Sequence, residues 1–216
     1  MAYRFGRVSK ECWKFMVLNE NIFNQNFKKR KGRFMFPTSH DITLDYGVLE
    51  CSIKILEKIL KAKNTVLITT KPWPTCIDTI TKKFEAFKAQ ILFRFTITSN
   101  YDRRLKFWEP NAPLLDDRLN SVLMAKIKGY KTSASIEPFL DKDPTKLILN
   151  IAPYITDTIW LGKMNYIDAN GISPEEKRYY EYQRQISSWS NIQKIVEKIK
   201  QLPEDIKAKI RLKDTI

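Results

Sequence analysis

Residues 91–136 read ILFRFTITSNYDRRLKFWEPNAPLLDDRLNSVLMAKIKGYKTSASI, and their pattern decides the fold. An apolar, aromatic-rich run over Ile91–Thr98 predicts a strand, and a β-branched run over Lys131–Ile136 predicts a second. Between them Leu119, Val122 and Leu123 recur at helical spacing across Leu115–Lys128, with Gly129 as a stop. Strands joined by a long connection that contains a helix do not form a hairpin. They form a parallel pair with a crossover helix.

The same alternation continues outward from this unit. Further strands are predicted at Arg33–Phe36, Thr65–Thr70, Asp157–Gly162 and Lys207–Leu212. Leu49, Ile53, Leu56 and Leu60 share a helical face, as do Trp189, Ile192, Val196 and Ile199. Cys76–Phe87 repeats the spacing with Ile77, Ile80, Phe84 and Phe87. The expectation is an α/β chain of six parallel strands, either an open doubly wound sheet or a partial barrel. It is read as one domain over 1–216: an N-terminal helical segment (1–32), βα repeats (33–165), then C-terminal helices and the last strand (166–216). No Gly-rich loop follows any strand, and six glycines in 216 residues leave little room for one. That argues against a dinucleotide-binding sheet or a P-loop.

Composition excludes several classes. With 43% hydrophobic residues against 29% charged, the chain has material for a core and is not disordered. No apolar run reaches the ~18–20 residues of a membrane span, and the opening MAYRFGRVSKECWKF lacks a signal core. Cys12, Cys51 and Cys76 form no CxxC pair, which fits reduced thiols and a cytoplasmic location. The balance of 38 Lys and Arg against 24 Asp and Glu, a formal +14, invites a nucleic-acid partner. Only Lys28, Lys29, Arg30, Lys31 and Arg33 form a dense run; the remaining lysines are scattered, as an AT-rich genome would also produce.

Function in parallel α/β folds gathers at the carboxyl ends of the strands. Read in order, those ends carry Ser39, His40 and Asp41; Thr69, Thr70 and Lys71; Thr98, Ser99 and Asn100; Ser135 and Glu137; Lys163 and Asn165; and Lys213. Such a rim suits a polar small molecule bearing both charges. Each residue also has a plainer reading. Asp41 can cap the following helix, Glu137 can hold a backbone amide, and Lys163 and Lys213 can be solvated. A single His without a GxSxG elbow speaks against a nucleophilic triad, and no ligand spacing suggests zinc.

The stretch from Ile91 to Asp141 resembles the middle of radical S-adenosylmethionine (SAM) proteins of the spore photoproduct lyase-like group. There a strand ending in Ser/Thr leads to "-EPGAP…ERL-", a helix, and a strand ending near "-EP-". The counterparts are Glu109-Pro110-Asn111-Ala112-Pro113 and Asp117-Arg118-Leu119, with Asn111 in place of the usual Gly. The runs 35–43 (MFPTSHDIT), 157–165 (DTIWLGKMN) and 210–214 (IRLKD) resemble one branch of the same group. The resemblance covers nearly the whole chain.

It implies a partial (β/α)6-type barrel holding SAM and a [4Fe–4S] cluster at the strand ends. The cluster of such enzymes passes one electron to SAM, releasing a 5′-deoxyadenosyl radical that abstracts a substrate hydrogen. By position, Ser39, His40 and Asp41 meet the methionine amino end of SAM, and Thr98 and Ser99 approach the ribose. Ser135 and Glu137 lie near SAM or substrate, with Lys71, Lys163 and Asn165 as looser assignments. Relatives that act on DNA make the +14 charge compatible with such a substrate.

The family's Cys-x3-Cys-x2-Cys loop, whose thiolates bind three irons, has no counterpart here. MAYRFGR resembles the residues that follow that loop, so the resemblance implies a barrel lacking its first strand, with the strand and loop upstream of Met1. Cys12, beside Trp13 on an expected helix, does not replace three ligands, and Cys51 and Cys76 read as helix-borne core thiols. Two accounts fit: a fragment of a larger protein, preferred because the rim follows the family pattern, or a degenerate relative that kept the scaffold. In both, the chain as written holds no cluster. A missing strand also leaves an open edge beside Arg33–Phe36, suited to self-association or a covering partner.

Overall fold

The computed structural model describes residues 17–168 and 170–216. Six strands, β1 (Arg33–Phe36), β2 (Thr65–Thr70), β3 (Ile91–Thr96), β4 (Lys131–Ile136), β5 (Ile159–Leu161) and β6 (Ile210–Leu212), form one sheet. All neighbours are parallel, and the spatial order is the chain order, β1 to β6. That order excludes the doubly wound alternative, in which the sequence of strands reverses partway. It is compatible with a partial α/β barrel. Among the described residues β1 pairs only with β2, and Met35 at this edge is exposed.

Nine helices lie among the described residues: α1 (Glu20–Asn24), α2 (Tyr46–Lys61), α3 (Pro74–Lys83), α4 (Asp102–Trp108), α5 (Leu115–Ile127), α6 (Thr145–Ile151), α7 (Pro174–Ile186), α8 (Trp189–Lys200) and α9 (Glu204–Lys207). Of the expected N-terminal helical segment, the described part holds only the five-residue α1. The predicted helix through Phe87 stops at Lys83 and continues as a 3₁₀ turn over Glu85–Gln90. The strand predicted from Lys207 begins at Ile210, because Glu204–Lys207 is helical.

Local chemistry explains the helix ends. Gly129 adopts φ +79°, and Tyr130 N and Gly129 N donate to the carbonyls of Ala125 (3.0 Å) and Lys126 (2.9 Å). This Schellman arrangement stops α5, as the glycine foretold. α2 ends the same way with Lys63 at φ +59°, where Lys63 N and Asn64 N reach Leu60 O and Ile59 O. At the start of α7, Ser173 and Glu176 form a reciprocal capping box.

Strand alternation sorts the sheet into two unlike faces. Val66, Ile68, Phe93, Phe95, Ala134, Ile136, Ile159 and Leu161 point into the main core with the apolar sides of the helices. Each of the larger side chains contributes about 1.5–3 kcal/mol of burial. Crossovers of constant hand that always step the same way stack their helices on one face. The alternate residues, among them Arg33, Leu67, Arg94, Ser133, Ser135 and Trp160, occupy the other face and contribute nothing to that core.

Two apolar expectations turn outward. Trp189 is 64% exposed because α8 buries Asn191, Ile192, Ile195 and Ile199 instead. Leu123 is exposed because α5 turns Arg118, Ser121, Val122 and Ala125 inward.

Candidate functional site

The chain leaves β1 through a cis peptide bond at Phe36-Pro37, and Thr69 Oγ1 donates to Pro37 O at 2.9 Å. Ser39 is exposed beyond it, and the His40 ring stands edge-on to Phe36 at 6.3 Å. Asp41 does not cap α2; Asp45 does, accepting from Val48 N at 3.3 Å. Instead Asp41 accepts from Lys71 N at 2.8 Å and pairs with Lys71 Nζ at 3.1 Å. Ile42 N donates to Thr70 Oγ1 at 3.0 Å. Asp41 therefore staples the loop after β1 to the end of β2.

His40 is the only histidine in the chain. Burial pulls its pKa below 6.5, and the adjacent Asp41 charge offsets only part of that. A neutral folded imidazole contributes stability that is present above the unfolded pKa and lost as pH falls through it toward the folded value. Proton NMR of the single imidazole is expected to give a midpoint below 6.5, and H40Q is expected to flatten the stability change below pH 7. A midpoint above 6.5 would contradict the burial argument.

Beyond β3, Thr98 and Ser99 are fully buried and their hydroxyls are spent inside the fold. Thr98 Oγ1 donates to Glu109 at 3.1 Å, and Ser99 Oγ donates to Asp141 at 2.5 Å. Asp141 also accepts from Asn100 N at 2.9 Å and pairs with Arg104 at 2.6 Å. Glu109 in turn pairs with fully buried Arg118 at 2.5 Å. Arg118 Nε and Nη1 reach Pro113 O (2.7 Å) and Thr96 O (3.1 Å). One side chain thus ties the segment carrying Glu109 and Pro113 to the end of β3. Its neighbours Ser99 and Thr98 are shaped by these carboxylates rather than open to solvent.

The ends of β4, β5 and β6 carry an open cluster. Glu137, followed by a cis bond to Pro138, pairs with Lys213 at 3.4 Å rather than with a backbone amide. Its side chain crosses Gly162 so closely that a Cβ there would meet Glu137 atoms at 3.0 Å, which accounts for a glycine at this position. Lys213 and Arg94 both approach the Trp160 ring, at 5.2 and 5.0 Å from its centroid. Arg94 Nε donates to Ser133 Oγ at 3.3 Å. Burial lowers the Arg94 pKa and the Arg33 charge adds to that, while Asp157 and Glu137 oppose it. Ser135 is partly open on the same face, Lys163 is half-buried, and Asn165 is exposed.

The rim residues therefore fall into two groups. Asp41, Thr98 and Ser99 brace loops, whereas Ser39, Ser135, Glu137, Lys163 and Asn165 border open space. Arg94, Ser133, Trp160, Arg104 and Asp141 were not singled out from the sequence. Arg94 had one visible signal: a cation inside an otherwise apolar strand. The basic run lies elsewhere, at the amino end of the sheet. Buried Asn64 holds it there, accepting from Arg30 N at 2.8 Å and donating to Lys28 O at 3.2 Å, while Lys29 Nζ donates to Lys63 O. A shallow groove bordered by Asp116, Leu119, Leu123 and Tyr154 lies between α5 and the turn that follows α6.

Among the described residues, no group of three or more His, Cys, Asp or Glu is placed to hold a metal ion. Cys51 is partly buried on α2, and burial of Cys76 on α3 pushes its thiol up to about 11, far from a thiolate ligand. Cys12 lies outside the described residues. The described residues do not fit a [4Fe–4S] cluster. No described helix is long and apolar enough to cross a membrane. Compared with protein-family models, curated proteins and solved structures, the chain shows no significant match to any of the three.

Proposed function

We propose that the chain is a radical SAM-like scaffold, a partial (β/α)6-type barrel, that holds SAM at its carboxyl rim without a cluster ligand set among its described residues. The observation that supports this reading is the sequential parallel order, with open polar groups collected at the strand ends on the face that the core does not use. The donor set suits a zwitterionic ligand. Ser39 and Ser135 offer hydroxyls, Lys163 offers a cation, and Glu137, beside Lys213, offers a carboxylate. With Thr98 and Ser99 engaged internally, ribose contacts in this reading fall to Ser135 and Asn165.

Isothermal titration of the chain with SAM is the direct test, and saturable binding at one per chain is expected. S135A should weaken it without changing the melting temperature. No heat of binding at millimolar SAM would defeat the proposal. Anaerobic reconstitution with iron and sulfide is expected to give well under one cluster per chain; a full equivalent would overturn the cluster-free reading.

A second reading, a basic nucleic-acid-binding protein, draws on the exposed Lys28, Lys29, Arg30, Lys31 and Arg33 held in place by Asn64. If all five meet phosphates of a duplex, log affinity falls with log[salt] at a slope of roughly −4.5. Oligonucleotide binding that survives K29Q/K31Q with the same slope rules this surface out.

A further inference from the structure

Arg94 stands in the middle of a central strand, on the face of the sheet that the main core leaves aside. Half-burying a guanidinium costs free energy unless its charge and donors are met. Only Nε is engaged, with Ser133 Oγ. Among the described residues neither Nη atom has a hydrogen bond or an ion pair; of the two carboxylates whose charge reaches Arg94, Asp157 makes no direct bond to it and Glu137 pairs with Lys213.

The surroundings of this free fork are held rigid. Ser133 Oγ donates to Thr158 O at 2.7 Å and lies 3.0 Å from Thr158 Oγ1. Thr158 Oγ1 accepts from Trp160 Nε1 at 3.1 Å. Guanidinium and indole are thus fixed by one hydroxyl chain, 5.0 Å apart. Parallel register sets Thr96 opposite Ser135 and Ser135 opposite Trp160, one row nearer the carboxyl ends than Arg94. Neither hydroxyl has a side-chain partner among the described residues.

We propose that this face carries an oxyanion site, with the Arg94 fork gripping a phosphate or carboxylate group of a ligand that lies against Trp160 and the Thr96–Ser135 hydroxyls. A planar pair of N–H donors matches two oxygens of such a group, which a lysine cannot reproduce. The site stands on Arg94 and its strand neighbours, so it survives if the chain proves not to bind SAM.

The test is a titration of the full chain at constant ionic strength, with inorganic phosphate in one arm and succinate in the other. Binding is read by thermal shift and calorimetry. A saturable rise in melting temperature is expected, and the stronger arm tells phosphate from carboxylate. R94Q is expected to weaken binding about tenfold or more, the scale of a lost charge-assisted hydrogen bond. R94K keeps the charge and stem but loses the fork, so it is expected to weaken binding too, and it carries the test alone if R94Q does not fold. K29Q/K31Q, at the opposite end of the sheet, is expected to bind like the unaltered chain. The proposal is overturned by no saturable response to either anion, by undiminished binding in R94K, or by a loss confined to K29Q/K31Q.

Discussion

Replacing Arg118 with alanine is expected to cost about 3–5 kcal/mol, the usual penalty for stripping one partner from a buried ion pair. Arg118 is fully buried, and its removal leaves Glu109 without its cation and the carbonyls of Pro113 and Thr96 without donors. At roughly 2–4 °C per kcal/mol for a chain of this size, the melting temperature should fall by about 10 °C. The double variant E109Q/R118M removes both charges and fills the space, so it should lose much less than the two single changes added together. Urea unfolding of the unaltered chain, R118A, E109Q, R118M and E109Q/R118M measures this. A loss below about 1 kcal/mol for R118A would show that the pair is not buried in solution.

Asp141→Ala is expected to cost about 2–3 kcal/mol, since a buried carboxylate accepting charged and neutral donors is the strong kind of hydrogen-bond hub. Ser99 Oγ, Asn100 N and Arg104 all lose their acceptor at once. Arg104 also rests on Tyr101 and Tyr182, at 4.6 and 4.7 Å, so the damage should spread to α4 and α7. Hydrogen exchange is expected to show faster opening of residues 99–108 and 179–183 in D141A, with the amides of β2 unchanged. Uniform acceleration across the sheet would instead mean that Asp141 supports the whole fold. D141N keeps the shape and one acceptor and should lie between the two.

Both predictions concern residues whose value was invisible in the linear chain. Arg118 belongs to the run Asp117-Arg118-Leu119, singled out only through the family resemblance, and helical spacing gave no reason to bury it. Its role follows from where α5 meets the end of β3. Asp141 lies five residues past β4 in a loop, and it matters because Ser99 and Arg104 arrive from another crossover. Asp41 shows the same gap. A carboxylate near a helix start reads as a cap, yet the partner that claims it, Lys71, sits one strand away. Trp189 was misplaced for a simpler reason. One turn of an amphipathic helix does not define its phase, and Asn191 won the inward position by bonding Lys142 O and Ile186 O.

What the sequence determined by itself was local: the six strands, four of the longer helices, the stop at Gly129, and hence an all-parallel α/β architecture. Period-two runs separated by helical spacing leave few other solutions. Tertiary structure decided the rest. Strand order chose between two sheets that the same periodicities permit, because order depends on which crossovers stack, not on the residues of any one strand. It also divided one roll of rim residues into braces and open groups, and set Arg94 beside Trp160 across two strands. Those pairings join residues 22 to 66 positions apart, a distance over which no local pattern carries information.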